Sequence, residues 1–237
     1  MKTNMYQEML PWNCYVGCRR FNCSYCDKSF KAQMKRQMPK FDVNGIQYRG
    51  CQQCYDYEPH FHEDRITKEY CKKHFAKAKE NQFIWVGSSG DISFCEKEWM
   101  EKILEIIFEM PEKTFFFQTK NPSWFNQYSF PDNCVLGITL ESNRDYREIS
   151  KAPLCRQRAY IFAEVIHPRK IITIEPVLDF DLYPFLLMIK GCNPERVYVG
   201  YDTKKNDLNE PTIEKIKKLI NGLSKFTKVK TKYMKEG

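Results

Sequence analysis

The apolar residues from position 83 onward alternate between short runs and helical stripes. Five short apolar runs predict buried strands, at 83–87, 114–118, 134–138, 170–174 and 196–200. Between them, apolar residues recur at helical spacing, as from Met100 to Phe108 and from Ile213 to Leu223. Alternating strands and helices favour a parallel sheet with right-handed crossovers. With a short strand before Cys14, the pattern predicts an α/β fold, a partial (β/α)6 TIM-like barrel of parallel strands.

Polar or small residues follow each predicted strand. They are Gly87, Ser88, Ser89 and Asp91 after the 83–87 run, Thr119 and Lys120 after the next, then Thr139, Glu141 and Asn143, and finally Glu175. Each alone is consistent with a surface residue or an ordinary turn. Ligands of parallel α/β folds bind at the carboxyl ends of the strands, so we expect these residues to line one pocket. Lys120 is suited to a carboxylate or phosphate, and Glu141 and Asn143 to ribose hydroxyls or a methionine group.

Four cysteines lie within thirteen residues of a loop-like stretch near the N-terminus: Cys14, Cys18, Cys23 and Cys26. Thiolates that converge on one point are typical of a metal ion or an iron–sulfur centre. The Cys23-x2-Cys26 spacing lets two sulfurs from one turn reach the same metal. The thiols alone leave structural zinc and an iron–sulfur cluster open.

The residues around these thiols resemble the radical S-adenosylmethionine (radical SAM) superfamily. Its members hold a [4Fe-4S] cluster with three cysteines after the first strand of a partial barrel, and an aromatic residue, here Tyr25, precedes the third cysteine. The usual first gap has three residues, whereas Cys18-x4-Cys23-x2-Cys26 has four. With Trp12-Asn13 and Gly17-Cys18, the loop is similar to a phage-associated and prokaryotic three-cysteine family that has this longer gap. Further similar segments are 61–65, 86–91, 118–122, 137–141 and 174–176.

The resemblance implies an enzyme that cleaves S-adenosylmethionine reductively and abstracts hydrogen from a substrate, with electrons from an external donor. It implies that Cys18, Cys23 and Cys26 bind the cluster and that Tyr25 packs near the adenine. By the same resemblance, Gly87, Ser88, Ser89 and Asp91 bind S-adenosylmethionine, and we expect Thr119, Lys120, Thr139, Glu141, Asn143 and Glu175 to complete the cofactor pocket. Cys14 and Lys120 are candidate catalytic residues, Cys14 as a hydrogen donor, an alternative ligand or a spare thiol.

A second group of metal-binding residue types follows, in a segment at 41–80 that we interpret as an insertion. Cys51, Cys54, Cys71 and His74 form two pairs at metal-ligand spacing and together supply three sulfurs and one imidazole, a set suited to tetrahedral zinc. His60 and His62 also lie there. The alternative is that His62 serves a local structural motif, Cys71 is a small buried residue, and the two pairs never meet.

The composition favours a single domain over 1–237, because no break in composition divides the chain. We expect a cytoplasmic protein without membrane contact, since no signal peptide or apolar run of bilayer length is present. The 11 cysteines are clustered, which indicates reduced thiols and metal ligands.

The net charge of +8 suits a nucleic acid or nucleotide substrate, although runs of lysine are also common on solvated surfaces. Positive residues crowd the cysteine loop (Arg19, Arg20, Lys28, Lys31, Lys35, Arg36 and Lys40) and the C-terminus. Two other functions remain open. One is a non-catalytic zinc protein that binds nucleic acid or a protein partner. The other is cysteine-nucleophile hydrolysis, for which no thiol is paired by sequence with a convincing His/Asp arrangement.

Overall fold

The computed structural model describes residues 7–37, 40–43 and 46–232, without the side chains of 40–49. In its first part the elements are β1 (Met9–Trp12), β2 (Tyr15–Val16), α1 (Ala32–Gln37), β3 (Lys40–Val43), β4 (Ile46–Arg49), α2 (Gln52–Asp56), β5 (His60–Phe61) and α3 (Lys68–Phe75). They continue with β6 (Phe83–Val86), α4 (Lys97–Phe108), β7 (Thr114–Thr119), β8 (Cys134–Thr139), α5 (Cys155–Glu164), β9 (Lys170–Ile174), α6 (Leu182–Gly191), β10 (Arg196–Val199), α7 (Ile213–Leu223) and β11 (Lys228–Thr231).

The main sheet has seven parallel strands in the order β1-β6-β7-β8-β9-β10-β11, and it curls into a half-barrel. All six predicted strands are present, and β11 is a seventh that the sequence pattern did not predict. Glu8, just before β1, reaches side chains on the far side of the sheet: its carboxylate lies 2.9 Å from Arg196 and 3.1 Å from Lys230. The Tyr198 hydroxyl also donates to Glu8 at 2.6 Å. The curl thus brings the two edges of the sheet together at this rim.

Alternate residues of each strand face the inside and the outside of the half-barrel. Phe116 packs inside, with Met9, Trp85 and Tyr198, in a cluster that most strands of the sheet contribute to. Gly137 on β8 makes room for the Phe116 ring, because a Cβ there would lie 2.5 Å from that ring. The inside is therefore apolar near the amino ends of the strands, and each such side chain contributes about 1.5–3 kcal/mol through burial.

The helices cover the outer face of the sheet. The predicted stripe on α4 is confirmed, since Met100, Ile103 and Ile107 are fully buried, although Phe108 is exposed. Ile216 and Leu219 on α7 are buried in the same core. Among the described residues, no helix approaches the length and apolarity needed to cross a membrane; the longest, α4, has 12 residues.

The segment between β1 and β6 contains the β3–β4 hairpin, the short helix α2, and α3. Its strand β5 pairs antiparallel with β2, so that Tyr15 faces Phe61 and Val16 faces His60. Phe75 of α3 packs edge-on against Trp12, with ring centroids 5.0 Å apart. This segment is therefore attached both to the first strand and to the start of the cysteine loop.

Candidate functional site

Three of the four clustered cysteines line one cavity at the carboxyl ends of the strands. Cys18, Cys23 and Cys26 border a space of about 380 Å³, within the range of small-molecule sites. Cys14 does not line it. Its side chain is fully buried in the core beneath, where burial raises the pKa of the thiol. This placement is consistent with a spare thiol and does not match the other two predicted roles, a ligand or a hydrogen donor in the cavity.

Two glycines allow the cysteine loop to pass close to the turn after β6. Gly17 has a φ of +103°, in the left-handed region that favours glycine. Its N–H donates to the Ser89 carbonyl at 3.1 Å, and its own carbonyl accepts from the Asp91 N–H at 3.1 Å. A Cβ on Gly90 would lie 2.4 Å from the Gly17 oxygen. Glycine is needed at both positions for this backbone contact, and the contact fixes the position of the chain just before Cys18.

The turn after β6 is held by protein groups. The Asn13 amide bridges it, donating to Ser89 Oγ at 3.0 Å and accepting from Ser88 Oγ at 3.0 Å. Asp91 caps the next turn and also accepts from the Thr119 hydroxyl at 2.6 Å. Of the four residues that the resemblance assigns to the cofactor, Ser88 and Asp91 line the cavity, whereas Gly87 and Ser89 do not.

A buried ion network lies directly behind the cysteines. The Lys120 ammonium donates to Cys23 Sγ at 3.0 Å and pairs with the Glu141 carboxylate at 3.0 Å. Arg158 binds the other Glu141 oxygen at 2.7 Å. Burial alone would raise the pKa of Glu141, but Arg158 and Lys120 hold it well below its ordinary value. Burial likewise opposes the charge on Lys120, yet Cys23 and Glu141 raise its pKa.

The environment of Cys23 favours a thiolate. A hydrogen bond from Cys26, assisted by the nearby Lys120 charge, lowers the pKa of Cys23 to about 4. The Ser150 hydroxyl lies 3.1 Å from the same sulfur. The same bond raises the pKa of Cys26, and burial raises that of Cys18. These contacts therefore favour the thiolate of Cys23, the form of cysteine that binds metals.

Tyr25 lines the cavity and ties the loop to this network, because its hydroxyl donates to Glu141 at 2.6 Å. Thr119, Lys120, Thr139 and Glu175 also line the cavity, as the strand-end pattern predicted. Glu141 and Asn143 do not line it. Glu141 is occupied by its cations, and the Asn143 side chain instead accepts from the Asp181 N–H at 2.8 Å.

Two inward-facing polar atoms in the cavity wall have no hydrogen-bond partner within the described part of the chain. They are Gln118 Oε1 and Thr173 Oγ1, both almost inaccessible to solvent. A buried polar atom without a partner is unfavourable, so these two mark positions where a polar ligand group is expected. Gln118 lies within β7 and Thr173 within β9, so the strand-end pattern did not predict them, although Thr173 pairs with Thr139 on β8.

The far wall of the cavity comes from the loop after β10 and the end of β11. Asp202, Thr203 and Lys204 line it, and Lys232 forms an ion pair with Glu175. Burial raises the pKa of the Glu175 carboxyl despite this pair. Lys232 was missed because β11 itself was not predicted. Asp202, Thr203 and Lys204 follow the predicted 196–200 strand, so the strand-end pattern could have found them.

The second Cys/His group differs from the predicted set. Cys51 and Cys54 come together with His60 and His62, and the four ligand atoms lie within 4.8 Å of one another. Cys71 and His74 are elsewhere: Cys71 is buried in the main core, and His74 Nε2 lies 2.8 Å from the Pro11 carbonyl oxygen. The two predicted ligands on α3 are therefore corrected to His60 and His62.

The residues around the cavity fit a cluster held by three thiolates. Among the described residues, Cys18, Cys23 and Cys26 are the only cysteines that border it, and no histidine does. Three sulfurs would leave one iron of a [4Fe-4S] cluster without a protein ligand. A scan against protein-family models and a search of curated proteins found no match to the chain.

Proposed function

We propose that this chain is a radical SAM enzyme with a TIM-like partial barrel. One observation carries the proposal: three cysteines of a single loop border one cavity at the carboxyl end of a parallel half-barrel, together with polar residues of successive strands. The loop spacing and its flanks, which resemble that superfamily, support it independently. Cys18, Cys23 and Cys26 would hold the cluster.

When bound, the [4Fe-4S] cluster and S-adenosylmethionine supply a 5′-deoxyadenosyl radical that abstracts hydrogen from a substrate. The protein's own residues position these groups. Lys120 places a positive charge beside Cys23, and hydrogen bonds to cluster sulfurs influence the reduction potential. With the cofactor bound, Gln118 and Thr173 would offer it two polar atoms that have no partner among the described residues. Asp91 and Asn13 keep the turn after β6 in place.

The substrate class proposed is a nucleic acid or nucleotide. The exposed cation Lys204 lines the cavity, and exposed Lys28 reaches the same loop. Lys28 follows the cysteine loop and donates to the carbonyl of Lys205, in the loop on the opposite wall, at 2.8 Å. Phosphate groups would meet positive charge on both sides of the opening, which favours a polyanion.

The test is iron, sulfide and zinc content, with an absorption spectrum, on protein purified and reconstituted without oxygen. We expect close to four irons per chain, as one cubane cluster requires. The Cys23→Ala variant should lose the iron and the broad visible absorption, whereas Cys134→Ala, a buried core cysteine outside the cavity, should keep both. Reconstituted protein with S-adenosylmethionine and dithionite should then release 5′-deoxyadenosine.

A protein that contains only zinc after reconstitution, in all three forms, would refute the enzyme proposal. The non-catalytic zinc protein would then be the better explanation. The substrate class is tested separately by titrating single-stranded and duplex nucleic acid at several salt concentrations. Affinity that does not change with salt would contradict binding through phosphates.

A further inference from the structure

A group of four side chains in the segment between β1 and β6 directs its metal-binding atoms toward one point. Cys54 Sγ lies 3.2 Å from His60 Nε2 and 3.2 Å from His62 Nε2. Cys51 Sγ lies 3.5 Å from His60 Nε2, and the two imidazole nitrogens are 2.9 Å apart. Cys54 and His60 are buried, and Cys51 and His62 are half-buried.

These distances suit one tetrahedral ion. Zinc binds sulfur at about 2.3 Å and imidazole nitrogen at about 2.0–2.1 Å, so tetrahedral geometry places a sulfur and a nitrogen roughly 3.5 Å apart. A two-iron cluster with the same ligand types would hold its cysteines and histidines on different irons. The short distances between Cys54 and both histidines leave space for a single ion. Two sulfurs and two imidazoles in tetrahedral arrangement favour zinc.

The outer partners of the histidines fix the orientation that zinc requires. His60 Nδ1 lies 2.7 Å from the Glu58 carbonyl, so its proton resides on Nδ1 and the Nε2 lone pair faces the sulfurs. The imidazole of His62 has the same orientation, because its Nδ1 lies on the side of the Asp64 carboxylate, at 3.8 Å, and its Nε2 faces the sulfur of Cys54.

The same segment supports the start of the cysteine loop. Val16 pairs with His60 across the two short strands, and the Cys18 N–H donates to the Tyr57 carbonyl at 3.3 Å. The backbone of Glu58 is so close that a Cβ on Gly17 would lie 2.3 Å from its oxygen. Cys18 and Cys51 also pack against the same small apolar cluster. The chain between Cys54 and His60 thus forms one wall of the loop that carries Cys18.

We propose that Cys51, Cys54, His60 and His62 bind one Zn²⁺, and that this ion holds the cysteine loop in place from behind. Binding displaces the two thiol protons into solvent, leaving two thiolates and two neutral imidazoles around the ion. The site is separate from the cavity, and the proposal does not depend on the reaction proposed for the cavity. Its role is structural, because four protein ligands complete the tetrahedron.

The first test is the zinc content of the full chain, measured by inductively coupled plasma mass spectrometry after purification. We expect about one zinc per chain, reduced to background in Cys54→Ser and His62→Gln. Matched controls are Cys71→Ser, which alters an equally buried thiol, and His74→Gln, which alters another half-buried histidine; both should retain the ion. Equal zinc in all five proteins, or none in the parent after incubation with equimolar Zn²⁺, would overturn the site.

A second measurement uses only the parent protein, so its result does not depend on whether a variant folds. Parent protein stripped with a chelator and given Co²⁺ should show the visible d–d bands of a tetrahedral ion together with thiolate charge-transfer absorption. An octahedral Co²⁺ spectrum would overturn the proposed ligand geometry.

The structural role is tested by hydrogen exchange of the parent protein before and after zinc removal. We expect faster exchange in peptides covering 14–18 and 57–62, and unchanged exchange across β8. Zinc loss that leaves residues 14–18 fully protected would show that the ion does not hold the cysteine loop. Iron content is not used, so failure here is distinguishable from failure of the radical SAM proposal.

Discussion

The contact between Gly17 and Gly90 makes the substitution Gly90→Ala a sensitive probe of the cysteine loop. The added Cβ would lie 2.4 Å from the Gly17 oxygen and 2.8 Å from its nitrogen. Ordinary contacts of this kind are about 3.5–4.0 Å, so the overlap is roughly 1 Å. Because both partners are backbone, no flexible side chain can move aside. The loop must separate from the turn after β6.

The expected effect has two parts. Overpacking typically costs about 1–3 kcal/mol. Separation also removes the two backbone hydrogen bonds that Gly17 makes with Ser89 and Asp91, each worth about 0.5–1.5 kcal/mol. Together they destabilise the fold by roughly 2–6 kcal/mol, which for a chain of this size lowers the Tm by roughly 5–20 °C.

Differential scanning calorimetry measures this difference, and iron content after reconstitution reports on the loop itself. Gly191→Ala is the matched control, because a Cβ at Gly191, the last residue of α6, would have nothing within 4 Å. That variant should melt at or slightly above the parent temperature. Gly90→Ala protein with the Tm and iron content of the control would refute the reasoning.

Three further predictions concern the ion network behind the cysteines. Lys120→Met removes the ammonium 3.0 Å from a cysteine sulfur and should make the potential of the proposed cluster roughly 60–130 mV more negative in an EPR-monitored titration; exposed Lys97→Met should not shift it. Arg158→Met leaves the buried Glu141 carboxylate short of a partner and should lower the free energy of unfolding by about 3–5 kcal/mol in denaturant titrations. Arg156→Met, which breaks an exposed pair, should change it by less than about 1 kcal/mol, and equal losses would contradict the prediction. Folding lowers the pKa of Glu141, so its ionised carboxylate stabilises the fold fully above the ordinary pKa of 4.5, and this contribution is lost as the pH falls below 4.5. The difference in the free energy of unfolding between parent and Arg158→Met should therefore shrink on acidification. A difference that does not change with pH would contradict the assignment.

The strands of the half-barrel were predictable because parallel strands buried on both faces read as continuous apolar runs. Five of the predicted runs match observed strands within one residue at each end. The seventh strand, β11, was not predicted because its sequence, Lys-Val-Lys-Thr, alternates charged with uncharged residues and resembles a solvated tail. Its position explains the pattern: β11 is an edge strand, and lysines on an edge discourage pairing with other chains.

The zinc ligands show where spacing misleads. Cys71 and His74 stand three residues apart on a helix, a spacing that suits metal binding, yet their side chains contact the core and β1. His60 and His62 are two residues apart at a short strand, and alternate residues of a strand share a face. The two-residue spacing of the histidines therefore indicates that both side chains lie on one face, where they can bind one ion. The approach of His60 and His62 to Cys51 and Cys54 depends on the path of the chain between α2 and β5, which no local pattern specifies.

Glu141 shows a different limit. It follows a strand like the residues that do line the cavity, but its carboxylate is bound by Arg158, which lies 17 residues later on α5, and by Lys120 from another strand. Local sequence identifies a polar residue at a strand end. Whether that residue faces a ligand or a buried cation depends on the tertiary partners available to it.

The ion pairs of Glu8 determine at which end the open side of the half-barrel is closed. In a complete eight-stranded barrel, backbone pairing would join the first and last strands along their whole length. Here β1 and β11 are the edges of the main sheet, and side-chain charges draw them together only at the rim where the strands begin. Within the described residues, the seam is thus fastened at the end away from the cysteines, and no backbone pairing joins its two edges toward them. This opening fits the proposed nucleic-acid substrate, because a long, flexible polymer would enter from the side with one unit turned inward.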